Sequence, residues 1–294
     1  MAAPVVDCVV DVGATLGEGA IWSVAEQALW WVDIAGKRLH RHDPARGENA
    51  SWDMGMPAGC LALRANGRVV VALTEGFHEF DPATGHLQFL SGPRPAERGH
   101  RFNDGSVDHR GRFLAGTMPL TGPTPEDSSG TLYSFDGTAP ARRVMDGFHT
   151  INGLAFSPDG RTAYVSDSFP DVRLIWAHDY DPDDGAWSNR RLFFDTRAVA
   201  GRPDGAAIDT DGCYWMAGVG GGHLLRLTPE GRIDMDIPMP VARPTRPAFG
   251  GPDMRTLYCT SIGAADDPAQ PQAGGVFALT VPGVQGVPLP VMEG

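Results

Sequence analysis

The sequence has little of what nucleic-acid binding and membrane insertion require. Its 294 residues carry 24 Lys and Arg against 36 Asp and Glu, for a formal net charge of −12. This acidity argues against a nucleic-acid partner, because phosphate binding needs a basic face. No stretch approaches the roughly 20 apolar residues of a membrane helix, and the N-terminus lacks the basic and apolar segments of a signal peptide. These absences predict a cytoplasmic protein that makes no membrane contact.

Cysteines and catalytic motifs are also scarce. There are four cysteines, none in a Cys-x-x-Cys pair: Cys8, Cys60, Cys213 and Cys259. Three of them lie in apolar strand patterns, which favours buried free thiols over disulfides. The sequence contains no Gly-x-Ser-x-Gly turn, no phosphate-binding loop and no His-Glu-x-x-His motif. It also shows no helical periodicity of useful length.

Glycine and proline are abundant instead, with 38 and 25 residues, as a fold with many tight turns requires. One unit recurs along the chain: a polar residue before Gly, a short apolar strand, a turn and a second strand. In its clearest copy, residues 152–168, the tetrapeptide Ser157-Pro158-Asp159-Gly160 predicts a hairpin, because Pro presets the turn and Gly accepts positive φ. Further copies open near positions 18, 58, 104, 204 and 246. Their spacing of roughly 40–50 residues is the period of propeller blades.

The repeat predicts an all-β fold, a six-bladed β-propeller with four antiparallel strands per blade, as a single domain over residues 1–294. An additional strand within residues 5–12 precedes the first repeat, and we expect it to complete the last blade and close the ring. The polar insertion at 119–129 is expected to be an exposed loop. His40 and His42, in a charged run, are expected at the surface. Four tryptophans are expected to pack within the blades: Trp22, Trp30, Trp31 and Trp215.

The repeat also predicts a site. The first strand of each propeller blade lines the central channel, so equivalent positions converge at one end of it. Oxygen donors recur just before the blade-opening Gly: Glu18, Asp104 with Asn103 beside it, Asn152 and Asp204. Asn and Asp before Gly are also ordinary turn formers, so a turn role stays open for each one. Carboxylate and amide oxygens suit Ca²⁺, Mg²⁺ or Mn²⁺, with Zn²⁺ and Fe²⁺ tolerated.

Several motifs together resemble the regucalcin/gluconolactonase family of sugar lactonases, whose fold is a six-bladed propeller. The resemblance covers nearly the whole chain and rests on the order and spacing of seven segments. They are Leu16-Gly17-Glu18-Gly19, Arg101-Phe102-Asn103-Asp104-Gly105, Gly116-Thr117-Met118, Ile151-Asn152-Gly153-Leu154, Pro203-Asp204-Gly205, Phe249-Gly250-Gly251 and Ala273-Gly274-Gly275-Val276-Phe277.

The resemblance implies one divalent ion, Ca²⁺ or alternatively Mn²⁺, Zn²⁺, Fe²⁺ or Mg²⁺, held by Glu18, Asn152 and Asp204. It also implies substrate contacts from Arg101 and Asn103.

The family places an acidic residue that touches sugar hydroxyls shortly after its Gly-Thr-Met segment. This chain continues with Met118-Pro119-Leu120-Thr121, and its nearest acid is Glu126. Thr121 is therefore the predicted substrate-binding residue at this place, and the departure leaves the identity of the sugar open.

The predicted function is a metal-dependent sugar lactonase that hydrolyses a pentono- or hexonolactone to the aldonic acid, as a monomer or weak dimer. Asp204 is the predicted general base, and Arg101 or the ion would stabilise the oxyanion. Two alternatives remain. The same site could hydrolyse other esters or phosphotriesters, or the propeller could be a non-catalytic Ca²⁺-binding scaffold.

Overall fold

The computed structural model describes residues 4–138, 140–264 and 267–292, so both ends of the expected 1–294 domain lie outside these ranges. Within them the chain forms six four-stranded antiparallel sheets, the blades of a β-propeller. Blade 1 holds β2 (Gly17–Ser23), β3 (Ala28–Asp33), β4 (Arg38–Asp43) and β5 (Glu48–Asp53). Blade 2 holds β6 (Ala58–Leu63), β7 (Val69–Leu73), β8 (Gly76–Asp81) and β9 (His86–Ser91). Blade 3 holds β10 (His100–Val107), β11 (Phe113–Pro119), β12 (Gly130–Phe135) and β13 (Arg142–Phe148).

The remaining blades have the same order. Blade 4 holds β14 (Ile151–Phe156), β15 (Thr162–Asp167), β16 (Leu174–Asp181) and β17 (Ala186–Asp195). Blade 5 holds β18 (Arg202–Ile208), β19 (Tyr214–Val219), β20 (His223–Leu227) and β21 (Ile233–Pro238). Blade 6 holds β22 (Pro244–Gly250), β23 (Thr256–Ser261), β24 (Val276–Thr280) and, from the N-terminus, β1 (Val6–Val10). Two short 3-10 turns lie between blades, at Pro95–Arg98 and Thr196–Ala198.

The first strands of the blades close into a ring around a central axis, each in contact with the first strand of the next blade. Strand β1 pairs with β24, so the N-terminal strand completes blade 6. The predicted six-bladed propeller, closed by an N-terminal strand, is therefore confirmed. No helix in the described part of the chain is long and apolar enough to cross a membrane.

Burial decreases from the axis outwards. Every residue of β2, β6 and β14 is buried, whereas the outermost strands β5, β9 and β17 are largely exposed or half-buried. Each sheet is covered on both faces by its neighbours, so the inner strands are apolar on both sides instead of alternating.

Aromatic side chains link the blades. Trp22 of β2 stacks on Tyr258 of β23 with ring centroids 5.6 Å apart, and Trp215 of β19 packs edge-on against Phe249 of β22. All four tryptophans named above are buried, as predicted. The expected free thiols are also confirmed, since Cys60, Cys213 and Cys259 are buried and unbridged.

The expected surface position of His40 and His42 is wrong. Both residues lie in β4, and their side chains are buried. The His40 ring stacks on Trp31 with centroids 4.9 Å apart, and His42 Nδ1 lies 2.8 Å from Asn49 Oδ1. The third strand of a blade is still covered by the neighbouring blades. The charged residues beside His40 and His42 in the sequence did not indicate this burial.

Candidate active site

A register shift interrupts the first strand of every blade close to its start. In β2 the shift falls between Glu18 and Ile21, and in β14 between Asn152 and Ala155. The other four lie between Ala58 and Cys60, Phe102 and Gly105, Pro203 and Ala206, and Pro244 and Pro247. Such bulges bend a strand and redirect its side chains, and they are common beside active sites.

Gly153 shows why a glycine follows the polar residue in blade 4. Its φ is +64°, and a Cβ at this position would lie 2.3 Å from the hydroxyl oxygen of Tyr214. That hydroxyl donates a 2.8 Å hydrogen bond to the Gly153 carbonyl. Only glycine meets both requirements, and the resulting backbone conformation fixes the position of Asn152.

Four buried side chains from four blades line one pocket, at the end of the ring where the first strands begin. They are Glu18, Asn103, Asn152 and Asp204. The pocket has a volume of about 170 Å³ and opens to solvent, and Arg101 also lines it. The structure thus brings together the three residues predicted to hold an ion and two of those predicted to bind substrate. Their roles stay predictions.

Aspartates at the ends of two second strands hold the segments that lead into this pocket. The Asp33 carboxylate accepts hydrogen bonds of 2.9 Å from the backbone N–H groups of Thr15 and Leu16, just before Glu18. In blade 4 the Asp167 carboxylate accepts equivalent bonds of 2.8 and 3.1 Å from the backbone of residues 149 and 150, just before Asn152. Two of the candidate ligands therefore follow anchored loops.

A chain of hydrogen bonds orients the amides of the pocket. Arg101 Nη1 donates to Asn103 Oδ1 at 2.7 Å, and Asn103 Nδ2 donates to Asn152 Oδ1 at 2.8 Å and to the Ile151 carbonyl at 3.0 Å. Because Asn152 accepts through its oxygen, that oxygen keeps a second lone pair for another partner. Both N–H groups of Asn103 are used within the protein, which leaves it one acceptor lone pair.

Burial and mutual repulsion make the ionised form of the pocket carboxylates unfavourable. Burial raises the pKa of Asp204 to about 7, with the nearby charge of Asp104 adding to the effect. Burial also raises the pKa of Glu18 well above its usual range, and repulsion from Asp204 and Asp104 contributes. Burial lowers the pKa of Arg101 to about 10. Buried like charges of this kind need a cation or protons to balance them.

The donor set fits a divalent cation. Two carboxylates and an amide oxygen are hard ligands, and the charge of a divalent ion would offset both carboxylates. The described residues contain no group of three or more His, Cys, Asp or Glu side chains placed to hold a metal ion. The candidate centre has two such side chains, Glu18 and Asp204, and the amide of Asn152 is its predicted third ligand.

Asp104 departs from the pattern of its neighbours. Its Oδ1 lies 2.6 Å from Arg246 Nη1, and its Oδ2 accepts a 3.0 Å bond from the Leu154 N–H. Asn103, one residue earlier, lines the pocket instead. The bulge in β10 thus directs Asn103 into the pocket and Asp104 into a buried ion pair.

Thr121, the remaining predicted substrate contact, is an exposed turn residue and does not line the pocket. Residues 120–129 form a loop between β11 and β12 whose residues are all exposed or half-buried, as predicted for this insertion, and only its first predicted residue, Pro119, is buried, at the end of β11. Pro123 is the part of the loop that reaches the pocket wall. A substrate-binding role for Thr121 remains a prediction, without a contact to support it.

The pocket has an outer tier that the sequence analysis missed. Each inner residue has a lining partner two positions earlier, and these are Leu16, Arg101, Thr150 and Arg202. Both members of each pair line the pocket. The spacing of two positions before each candidate ligand was the signal in the sequence which could have identified Thr150 and Arg202. Arg101 was found only through the family resemblance.

Comparison with known proteins places the chain among lactonases and regucalcins. Residues 16–263 match the family described as SMP-30/Gluconolactonase/LRE-like region. The 6-deoxy-6-sulfogluconolactonase of Pseudomonas putida is 42% identical, over 94% of this chain and 95% of its own. The regucalcin of Xenopus laevis is 34% identical, over 96% of both chains.

Solved structures agree with this placement. A regucalcin of Agrobacterium tumefaciens, described as a calcium-binding protein, matches with a TM-score of 0.89 at 28% identity, over 99% of this chain and 97% of that one. A gluconolactonase of Xanthomonas campestris matches with a TM-score of 0.76 at 25% identity, over 95% of this chain and 90% of that one. The family inferred from the motifs is therefore confirmed: this chain belongs to the SMP-30/gluconolactonase/LRE-like family.

Proposed function

We propose that this protein is a sugar lactonase, dependent on a divalent metal ion, that opens an aldonolactone to the aldonic acid. The observation that carries the proposal is the convergence of Glu18, Asn152 and Asp204, from three blades, on one solvent-open pocket. Relatives named as lactonases support the reaction class. A relative described as a calcium-binding protein supports the ion.

Glu18, Asn152 and Asp204 would hold the ion. When bound, it supplies a Lewis acid that polarises the lactone carbonyl and lowers the pKa of the attacking water. The regucalcin described as a calcium-binding protein makes Ca²⁺ the first candidate. The oxygen donor set also suits Mn²⁺, Zn²⁺, Fe²⁺ and Mg²⁺.

The reaction itself is assigned to side chains that line the pocket. A carboxylate oxygen of Asp204 takes the proton of the attacking water as the new C–O bond forms, which makes it the general base. It returns this proton to the ring oxygen when the ester C–O bond breaks. The guanidinium of Arg101, half-buried beside it, donates to the carbonyl oxygen as negative charge develops there. The remaining acceptor lone pair of Asn103 binds a substrate hydroxyl.

A substrate panel tests the proposal. Metal-free protein is reloaded in turn with Ca²⁺, Mn²⁺, Zn²⁺, Fe²⁺ and Mg²⁺ and assayed by acid release on pentono- and hexonolactones, simple esters and a phosphotriester. We expect metal-dependent hydrolysis of lactones above all. Preferred cleavage of the phosphotriester would assign a different hydrolase, and no release from any substrate with any ion would leave the Ca²⁺-binding scaffold.

A further inference from the structure

We propose that the outer tier of the pocket selects lactones that carry an anionic exocyclic group, a sulfonate, carboxylate or phosphate, and that Arg202 recognises this group. The ring-opening chemistry in this proposal rests on the lactonase function proposed above. The charge selectivity rests on separate observations of the pocket wall.

Arg202 is placed to meet the part of a substrate that lies farthest from the pocket floor. It is the first residue of β18, two positions before Asp204, and both residues line the same pocket. Asp204 is buried, whereas Arg202 is exposed at the mouth of the pocket. A lactone ring held over Asp204 would extend its exocyclic substituent towards this mouth.

Arg202 is also available. The structure shows no hydrogen bond or ion pair between its guanidinium and any of the described residues. Other arginines of the chain are committed to protein partners, for example Arg226 to three aspartates and Arg173 to three backbone carbonyls. A free guanidinium in a pocket wall is a ready partner for an oxyanion, which it can bind through two parallel hydrogen bonds.

The charge balance of the pocket favours an anion as well. The carboxylates that line it, Glu18 and Asp204, are the candidate ligands of a divalent ion, which would offset both of them. The guanidiniums of Arg101 and Arg202 then remain, and that of Arg101 already donates to Asn103. With the ion bound, the pocket would thus be locally positive in a protein whose net charge is −12.

The experiment compares wild type, Arg202→Gln and Arg161→Gln. Arg161 is exposed in the turn at the opposite end of blade 4, so Arg161→Gln makes the same charge change away from the pocket. For each protein kcat/KM is measured on gluconolactone, its 6-deoxy-6-sulfonate and its 6-phosphate. In parallel, calorimetry measures binding of gluconate and 6-deoxy-6-sulfogluconate to the metal-loaded protein.

We expect wild type to prefer the anionic lactones, and Arg202→Gln to lower the ratio of anionic to neutral kcat/KM by about 10- to 100-fold, the value of a hydrogen-bonded charge pair. Arg161→Gln should keep the wild-type ratio. A ratio that is equal in wild type and Arg202→Gln would overturn the proposal. If no lactone is turned over, the lactonase function fails and calorimetry decides. Arg202-dependent preference for the sulfonate supports the inference, and its absence contradicts it.

Discussion

The amide residues of the pocket hydrogen-bond within the protein and still keep one oxygen lone pair for an ion or a substrate. Asn103 is the clearest case, because it receives a hydrogen bond from Arg101 and passes one to Asn152. The amide therefore positions a candidate ligand while keeping one lone pair for substrate. Asp204 differs, since the side chain that hydrogen-bonds to it is another carboxyl group of the pocket, that of Glu18.

Asp204→Ala should abolish turnover, because it removes both the proposed general base and a ligand of the ion. Asp204→Asn keeps an oxygen ligand and should still lower kcat by about 10²- to 10⁴-fold, the usual contribution of a general base. Both are measured with saturating metal on the best lactone of the panel. A kcat close to that of wild type would refute the assigned role.

Asn103→Ala is the contrasting variant at the same pocket. It removes the substrate acceptor and the hydrogen bond to Asn152, but it leaves the carboxylates Glu18 and Asp204 in place. At saturating metal, KM should therefore rise more than kcat falls. Steady-state kinetics at saturating metal separates the two quantities. A fall in kcat as large as that of Asp204→Asn would contradict the distinction between base and substrate contact.

At the scale of elements, the site is built by the bulged first strands and the aspartate anchors behind them. The sequence predicted these strands, because turns rich in Pro and Gly and the apolar runs around positions 154 and 206 can be recognised from neighbouring residues alone. It could not tell which of Asn103 and Asp104 faces the pocket. A shift of one residue moves a side chain to the other face of a strand, and the bulge that sets this register is a tertiary feature.

Asp167→Ala tests the anchor of blade 4. Its carboxylate accepts three backbone N–H groups, from His149, Thr150 and Phe169, which alanine would leave unpaired. We expect urea denaturation to show a loss of at least about 2 kcal/mol, together with weaker metal binding by calorimetry. Asp183→Ala, in an exposed ion pair with Arg110, is the control and should stay within about 0.5 kcal/mol of wild type.

Buried histidines of the third strands should make the fold sensitive to acid. Burial lowers the pKa of His178 in β16 to about 4, with Arg190 and Arg191 adding to it, and burial lowers that of His40 in β4 to about 4. The unfolded chain takes up these protons at about pH 6.5, before the folded protein does. Their contribution to stability is therefore lost as the pH falls from about 6.5 to about 4.

The measurement is the free energy of unfolding of wild type and His178→Gln across this pH range. The free energy of unfolding of wild type minus that of the variant should decrease as the pH falls from about 6.5, and it should stop changing near pH 4. Subtracting the variant removes the opposite pH dependence of the pocket carboxylates. A difference that does not change between pH 7 and pH 4 would show that His178 titrates normally in the folded protein.

The whole molecule combines a ring that the sequence predicts with buried contacts between blades that it does not predict. The recurring turns indicated the length of a blade. The strand near the N-terminus precedes the first repeat, and it therefore indicated how blade 6 is completed. The burial of His40 and His42 depends on neighbouring blades, so a single strand could not reveal it. The pairing of Asp104 with Arg246, which are 142 residues apart, depends on the closed ring in the same way.

This ion pair ties three blades together beneath the pocket. Asp104 of β10 binds Arg246 of β22 and the backbone N–H of Leu154 in β14, and both charged side chains are buried. On the far side, Arg246 lines a second, mainly apolar cavity closed by residues 287–290. The charges of the pair are thus shielded from solvent at both ends of the channel, and each depends on the other.

We expect Asp104→Asn and Arg246→Gln each to destabilise the metal-free protein by about 3–5 kcal/mol, because either change leaves one buried charge without its partner. The double variant should lose much less than the sum of the two, since it leaves no uncompensated charge. Urea denaturation of the four proteins completes the cycle. Additive losses would mean that the two residues stabilise the ring independently, and that the ion pair does not couple blades 3 and 6.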